Sequence, residues 1–437
     1  MSGKAGLREV LQLNRKLKDT REVFGELVRR HGDVVEIRLG PTTFFLVVHP
    51  DDVEAILETN ADRFQRVAGE RRVSGRIVGD SVFSLEGADH AWERSMLEPV
   101  MYGRAAEVVT EPVVRLAERW RETLVHGQPI DVWASLERFA TELIIWMVLG
   151  TDPHEPTGRA IVDTLLSAVA TMDALPLSPT RFAGIARPVR RRFLRERAKL
   201  DELVLGVIAE RRRSPGTDIV SMLLDARDDE GRAYTDLQLR NQFVALYRGH
   251  TPASTALSLT WLQLDAEPDV EAKVLAEIDA VGDRLPSFGD LGRLSYTRMT
   301  FQESFRLYPP AWVLARIAIA EHHAGGRVIR PGARVLLSEW VTHRDERFWD
   351  EPLAFRPERF TPEAEAARPR YAYYPQGGGD KMCMGKHVVV PMEAPLLLAT
   401  IGQRWRFHAA PGHEPALAPR ATLKPKHGIW LIPERRQ

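Results

Sequence analysis

Tyr374-Pro375-Gln376-Gly377-Gly378-Gly379-Asp380-Lys381-Met382-Cys383-Met384-Gly385 holds the only cysteine of the chain, at the end of a glycine-rich loop. Three successive glycines let a backbone approach a bound group closely and adopt positive φ angles that a side chain would forbid. A helix is expected directly after the cysteine, in the stretch beginning Lys386-His387-Val388. Its positive dipole end would favour the thiolate, the form in which sulfur binds a metal. A free cysteine is more often just a small buried hydrophobe. The loop by itself leaves both readings open.

Upstream, Phe301-Gln302-Glu303-Ser304-Phe305-Arg306-Leu307-Tyr308 reads as a helix stopped by Pro309-Pro310. Glu303 and Arg306 are three residues apart, so they share a helix face and can pair. Taken alone, such a pair is usually a solvated one of little energetic value. Between it and the loop lies Phe355-Arg356-Pro357-Glu358-Arg359-Phe360, where an arginine among aromatics is able to close onto the pair. The order Glu303, Arg306, Arg359, glycine loop, Cys383 spans about eighty residues and is far more specific than any one of its parts.

The rest of the chain has an ordinary globular composition with enough apolar material for a large core. It has 437 residues, 44% hydrophobic and 27% charged, with 60 basic and 60 acidic side chains. That balance gives no reason to expect nucleic acid as a partner. One cysteine excludes an internal disulfide and fits a reducing compartment. The opening MSGKAGLREVLQLNRKLKD lacks the apolar centre of a signal peptide, and no run reaches the roughly 18 apolar residues of a membrane span. The expectation is therefore a cytoplasmic protein without a membrane anchor.

Periodicity predicts a mainly α protein with a small β region. Residues 22–31 read as helix, and VVEIRL and TFFLVV around Gly40-Pro41 as a β-hairpin. Asp51 is expected to cap the next helix. Helices are predicted over 131–149, 192–213 and about 236–266, and strand-like alternation with a Pro-Gly turn returns at 325–339. Pro391 and Pro395 are expected to kink or break the helix after Cys383.

On these motifs the chain resembles the cytochrome P450 family over nearly its whole length. The resemblance implies a single domain over 1–437, with a β-rich portion at about 33–60 and 314–345 and an α-rich portion at about 85–310 and 346–410. Haem b, iron protoporphyrin IX, is expected between the long distal helix and the cysteine-loop helix. Cys383 matches the family's iron ligand, a thiolate that donates electron density to the metal. Glu303, Arg306 and Arg359 match its structural triad. His90 and Arg94, in Gly87-Ala88-Asp89-His90-Ala91-Trp92-Glu93-Arg94, match a propionate-binding pair, and Arg316 matches a further propionate arginine whose planar fork suits a carboxylate. Gly377 and Gly385 belong to the loop pattern. Two positions there depart from it: Gln376 stands where the family usually has phenylalanine, and Lys381 where it usually has a propionate arginine.

The largest departure is Tyr247-Arg248-Gly249-His250-Thr251-Pro252-Ala253-Ser254-Thr255. The family's oxygen-activating helix resembles Gly-x-acid-Thr, and aligning on Gly249-His250 puts Thr251 at the acid position and Pro252 at the alcohol position. Proline cannot donate to the carbonyl of Arg248 and supplies no hydroxyl. A shift in register onto Ser254 or Thr255 would break the Gly-His match. Thr251, water or the substrate must then deliver protons.

The resemblance implies a monooxygenase of secondary metabolism that oxidises a lipophilic, terpenoid-like small molecule. Ferredoxin and ferredoxin reductase would supply the electrons, and the enzyme is expected to be monomeric. Alternatives are a peroxide-dependent peroxygenase, an atypical coupling or desaturation, and, from another class, a non-catalytic haem-binding sensor. Segments 66–85 and 160–190 would roof the haem pocket. Lys381, Lys386, Arg404 and Arg406 form a candidate docking face for the electron donor.

Overall fold

A computed structural model describes residues 3–67, 78–173 and 186–436. Parts of the two expected roof segments, residues 68–77 and 174–185, lie outside the described residues. In chain order the helices are α1 (Leu7–Leu17), α2 (Thr20–His31), α3 (Pro50–Glu54), α4 (Gly87–Glu98), α5 (Ala105–Thr123), α6 (Val132–Leu149), α7 (Pro156–Asp173) and α8 (Ala186–Arg213). They continue with α9 (Ile219–Asp225), α10 (Asp236–His250), α11 (Ala253–Ala266), α12 (Pro268–Val281), α13 (Ser295–Leu307), α14 (Glu339–Thr342), α15 (Pro362–Ala367) and α16 (Ala394–Gly402). The chain divides into two compact units, one formed by 1–71, 124–133 and 252–437, the other by 72–123 and 134–251.

The first unit contains the described strands. β1 (Lys4–Ala5), β2 (Val34–Leu39), β3 (Thr42–Val47), β4 (Phe64–Gln65), β6 (Leu314–Ala318) and β9 (Arg334–Leu337) form a sheet in the order β1-β2-β3-β9-β6-β4, with β5 (Ile130–Asp131) elsewhere. The expected hairpin is β2 and β3, in register from Val34 opposite Val47 to Leu39 opposite Thr42. Gly40 turns it at φ 62°, in the left-handed region. One face of this sheet buries Phe45, Val47, Val335 and Leu337 against Ile56 and Leu57, which lie just after α3, together with Tyr371 and Tyr374. The cysteine loop begins at this core.

The remaining strands pair locally. β7 (His322–Ala324) pairs with β8 (Arg327–Ile329) around Gly325-Gly326, and β11 (Leu417–Pro419) pairs with β12 (Leu423–Pro425). β10 (Trp405–Ala409) and β13 (Trp430–Arg435) form a sheet with β5 in the order β10-β13-β5.

The second unit is helical. α6 is apolar through its centre, with Leu143, Ile145 and Leu149 fully buried. α10 opens on a capping box in which Thr235 accepts from the Gln238 N–H while the Gln238 side chain accepts from the Thr235 N–H.

Two expectations are corrected. The helix after β3 starts at Pro50, not Asp51: His49 supplies the capping acceptor to the Asp51 N–H, and Pro50 occupies the first turn, where no N–H is needed. The stretch 236–266 is two helices, because Pro252 has no N–H to carry the ladder through, although Thr251 and Pro252 keep helical dihedrals (φ −54°, ψ −29° and φ −60°, ψ −25°).

One buried group opposes folding. Glu339, at the start of α14, is fully buried and both of its carboxylate oxygens lack a hydrogen-bond partner. Burial alone pushes its carboxyl well above the ordinary value of 4.5. The folded state thus holds a proton that the unfolded chain loses above about pH 4.5, so stability falls by about 1.4 kcal/mol per pH unit from there until the folded group ionises. Glu339→Met is expected to raise the melting temperature more at pH 8 than at pH 5. Equal gains at the two pH values would show that Glu339 ionises normally.

Candidate active site

The first unit carries the cysteine loop on a buried ion pair. Glu303 and Arg306, both on α13, have fully buried side chains joined by two bonds, Nε to Oε2 at 2.6 Å and Nη2 to Oε1 at 2.7 Å. Neither is left with unmet charge. Glu303 Oε1 also accepts from the Arg356 N–H at 2.9 Å and from Arg359 Nε at 3.3 Å. Arg306 Nη1 donates to the carbonyls of His343 at 2.7 Å and Pro352 at 2.8 Å. The three residues expected to form a triad therefore meet, and the pair is not the solvated surface feature that its spacing alone would suggest.

Several partners of this cluster escape sequence reasoning. Trp349 lies between two guanidinium groups, Arg306 at 4.8 Å and Arg368 at 4.2 Å from its ring centre, and Arg368 also faces Phe360 at 5.2 Å. His343 is fully buried and accepts at Nε2 from the Tyr374 N–H at 3.1 Å, while Nδ1 lies 3.3 Å from the Arg306 carbonyl. Nδ1 therefore carries the hydrogen and the ring is neutral, which agrees with burial and the Arg306 and Arg344 charges holding its pKa well below 6.5. Through this imidazole the backbone of the triad helix is tied to Tyr374, the first residue of the loop. The only sequence signal for it is a lone His343-Arg344-Asp345.

The loop itself is shaped by missing side chains. Gly377 and Gly379 have φ of 73° and 63°, and a Cβ on Gly379 would stand 2.0 Å from the Leu57 carbonyl oxygen. A Cβ on Gly378 would strike the Tyr371 hydroxyl at 2.3 Å. The Gly377 N–H donates to the Tyr374 carbonyl at 2.8 Å and the Cys383 N–H to the Gln376 carbonyl at 2.9 Å, so the loop closes back on itself before the thiol. Cys383 is half-buried. A Cβ on Gly385 would lie 3.7 Å from its Sγ, close to contact.

The helix after Cys383 is less regular than expected. A single 3-10 turn covers Met384–His387, a wider turn covers Val389–Glu393, and α16 starts only at Ala394. Pro391 has no N–H to donate, and the amides of Met392 and Glu393 both turn to the Val388 carbonyl, at 3.1 and 2.9 Å. The proline break is as anticipated. It confines the dipole at Cys383 to one turn, weaker than that of a continuous helix.

Arg316 is buried on β6, where its Nη1 donates to the Ala315 carbonyl at 3.0 Å. Strand alternation puts it on the same face as Leu314, whose Cδ1 lies 3.7 Å from where a Gly377 Cβ would be. Lys381 packs most of its side chain away, with Nζ 3.4 Å from Asp380 Oδ2. Of the cations expected to form a docking face, Lys386, Arg404 and Arg406 are exposed, and Arg406 Nε lies 3.9 Å from Glu271 Oε1.

In the second unit His90 and Arg94 are buried one turn apart on α4. Arg94 Nε donates to Glu98 Oε1 at 2.7 Å and Nη2 to the Tyr102 hydroxyl at 3.3 Å. At the end of α10, Gly249 gives room to Phe83, a residue with no signal in the sequence: a Cβ on Gly249 would meet its ring at 2.8 Å. Thr251 closes α10, its N–H donating to the Tyr247 carbonyl at 3.3 Å. In the first unit Pro252 begins the next helix, and Thr255 donates its hydroxyl to the Leu423 carbonyl at 3.0 Å. That hydroxyl is held by the backbone of β12.

Removing Glu303 leaves Arg306 buried without its counter-charge, so Glu303→Ala is expected to cost about 3–5 kcal/mol in urea unfolding. Arg359→Ala, whose contact is longer and at the edge of the cluster, should cost clearly less. Equal losses would mean that the pair does not anchor the cluster.

Comparison with known proteins agrees with this construction. The Cytochrome P450 family model matches residues 7–432. Cyclooctatin synthase of Streptomyces melanosporofaciens is 31% identical over 93% of this chain and 89% of its own length. Pentalenene oxygenase of Streptomyces avermitilis is 28% identical over 87% of this chain and 85% of its own. In fold, the haem domain of cytochrome P450DA superposes with a TM-score of 0.83 over 95% of this chain and 93% of that one, at 23% identity. A triad buried as an ion pair, a glycine loop closed ahead of a single cysteine and a family match from end to end lead to one conclusion: the chain is a member of the cytochrome P450 family, and so a haem-iron oxidoreductase.

Proposed function

We propose that this enzyme is a monooxygenase that oxidises a terpenoid-like natural product, with haem b ligated by the Cys383 thiolate. The observation that carries the reading is the cysteine loop: it is closed by backbone bonds, kept free of side chains at three glycines, and tied by Tyr374 and His343 to the buried pair. The donor set fits the cofactor. Cys383 supplies a sulfur, and Gln376, Gly377 and Gly385 form the loop around it. Arg316, Lys381, His90 and Arg94 are the buried or mostly buried cations and imidazole assigned to the propionates. When bound, a thiolate-ligated haem supplies oxygen activation.

The substrate class is supported by relatives named cyclooctatin synthase, cyclooctat-9-en-7-ol 5-monooxygenase and pentalenene oxygenase. Electrons are assigned to a ferredoxin and its reductase, met by the exposed cations Lys386, Arg404 and Arg406. The protein is proposed to act as a cytoplasmic monomer, a single domain spanning 1–437. Among the described residues no helix is long and apolar enough to cross a membrane.

On the distal side Gly249, Thr251 and Pro252 are the residues assigned to oxygen chemistry. Pro252 brings no hydroxyl, and Thr251 is the side chain assigned to hold a proton-carrying water.

The decisive measurement is the carbon monoxide difference spectrum of the reduced protein, where the long-wavelength Soret band of a thiolate ligand is expected in the wild type and its loss in Cys383→Ser. A band that survives that substitution would remove Cys383 from the iron. Turnover with a ferredoxin system is expected to exceed turnover with peroxide; the reverse would make the enzyme a peroxygenase. Pro252→Thr is expected to change the ratio of product formed to electrons consumed, and an unchanged ratio would take this position out of the proton route.

A further inference from the structure

Within the second unit, α4 and α10 are joined by a buried carboxylate that belongs neither to the cysteine loop nor to the propionate set. Glu93, beside Arg94 and one turn from His90, is almost wholly buried. Its Oε2 accepts from the Tyr234 hydroxyl at 2.7 Å and from Gln242 Nε2 at 2.6 Å. Tyr234 lies just ahead of α10 and Gln242 within it. A buried carboxylate that draws two donors onto one oxygen is a strong tie between the elements that supply them.

We propose that Glu93 is a positioning residue that sets α4, and with it His90 and Arg94, against α10, and that proton uptake at Glu93 rearranges this contact. The inference rests on the reading that His90 and Arg94 hold the haem. Gln242 supplies the means of rearrangement: its Oε1 is buried and has no hydrogen-bond partner. The amide is therefore half-used. It donates to the ionised carboxylate through Nε2, and on rotation by half a turn it offers Oε1 as the acceptor for a protonated one. Protonation removes the charge that strengthens both bonds to Oε2, and the rotation gives the new buried O–H its acceptor.

The surrounding charges place the change in the working pH range. Burial raises the Glu93 carboxyl most, with Asp80 and Asp89 adding to it, while the Tyr234 hydroxyl and Arg232 oppose; the balance puts it at about 7. The Tyr234 phenol is itself pushed up by burial and by Glu93, so it remains a donor throughout. Arg232 is kept near by stacking 3.9 Å over Trp92, whose Nε1 donates to Asp228 at 2.7 Å. Asp228 in turn accepts from the Arg232 N–H at 2.7 Å.

The test is the rate of haem loss from the full-length holoprotein to an excess of apomyoglobin, followed from pH 5.5 to 8.5 together with the low-spin to high-spin ratio of the Soret band. The wild type is expected to show a transition centred near neutrality, and Glu93→Gln a flat profile. Tyr234→Phe and Gln242→Leu each remove a donor to the carboxylate. Both are expected to move the midpoint upward by about one pH unit or more. A Glu93→Gln variant that keeps the wild-type midpoint, or a midpoint unmoved in both donor variants, overturns the role of Glu93. The melting temperature over the same range makes the comparison without haem: the wild type should lose stability relative to Glu93→Gln between pH 5 and 7, since its folded state holds the proton longer than the unfolded chain. That slope in a protein that takes up no haem would retain the tie and overturn the haem reading; haem uptake with no slope and no midpoint would do the opposite.

Discussion

A fully buried ion pair is costly to desolvate, and the site's first unit is organised around one. Glu303 and Arg306 lose all contact with water, a loss their mutual attraction offsets only if every remaining donor and acceptor is met. Here they are: the carboxylate takes bonds from Arg306, Arg359 and a backbone amide, and the guanidinium reaches three further carbonyls. Because those partners come from distant parts of the sequence, satisfying the pair requires the segment from 343 to 360 to wrap α13 in one way only. The pair therefore acts less as a source of stability than as a constraint on which chain path is acceptable.

That constraint reaches the cysteine through two small relays. His343 passes it from the Arg306 backbone to Tyr374, and Arg368 passes it from Trp349 to Tyr373, the residue before the loop. Beyond Tyr374 the control changes character, from bonds formed to side chains excluded. Gly378 and Gly379 sit where a Cβ would overlap Tyr371 or the Leu57 carbonyl, so the loop lies flat on its support. On the far side of the thiol, Pro391 restricts the chain to one tight turn before the backbone loosens. The local field at Cys383 is accordingly set by the loop's own geometry more than by a helix dipole.

How legible each of these features is in the sequence depends on how local it is. The β2–β3 hairpin and most of the helices announce themselves through neighbours in the chain, and the order of Glu303, Arg306, Arg359 and Cys383 carries a family pattern. His343 and Arg368 do not, since a buried neutral histidine and a cation among aromatics look like any surface residues until tertiary contacts bring Tyr374 or Trp349 to them. The cap at His49 is hidden for a related reason: Asp51 is the better capping residue by type, but Pro50 occupies the first turn and moves the helix start back. Glu93 is hidden because a glutamate between His90 and Arg94 reads as the solvated side of a helix; only Tyr234 and Gln242, about 140 residues away, make it a buried acceptor.

The distal residues show how a departure from a family pattern can be judged by structure. If the Gly249-His250 match puts Pro252 at the alcohol position, the simplest rescue is to slide the alignment until Ser254 or Thr255 fills the role. The hydroxyl of Thr255 is bonded to Leu423 on β12, which gives that side chain a packing duty of its own. A proline there still interrupts the ladder between α10 and α11, which frees the Arg248 carbonyl of its usual donor. What the chain gives up is a hydroxyl, not the interruption. On the proposed reading, proton delivery falls to Thr251 together with water or the substrate, and the identity of the substrate becomes part of the proton route.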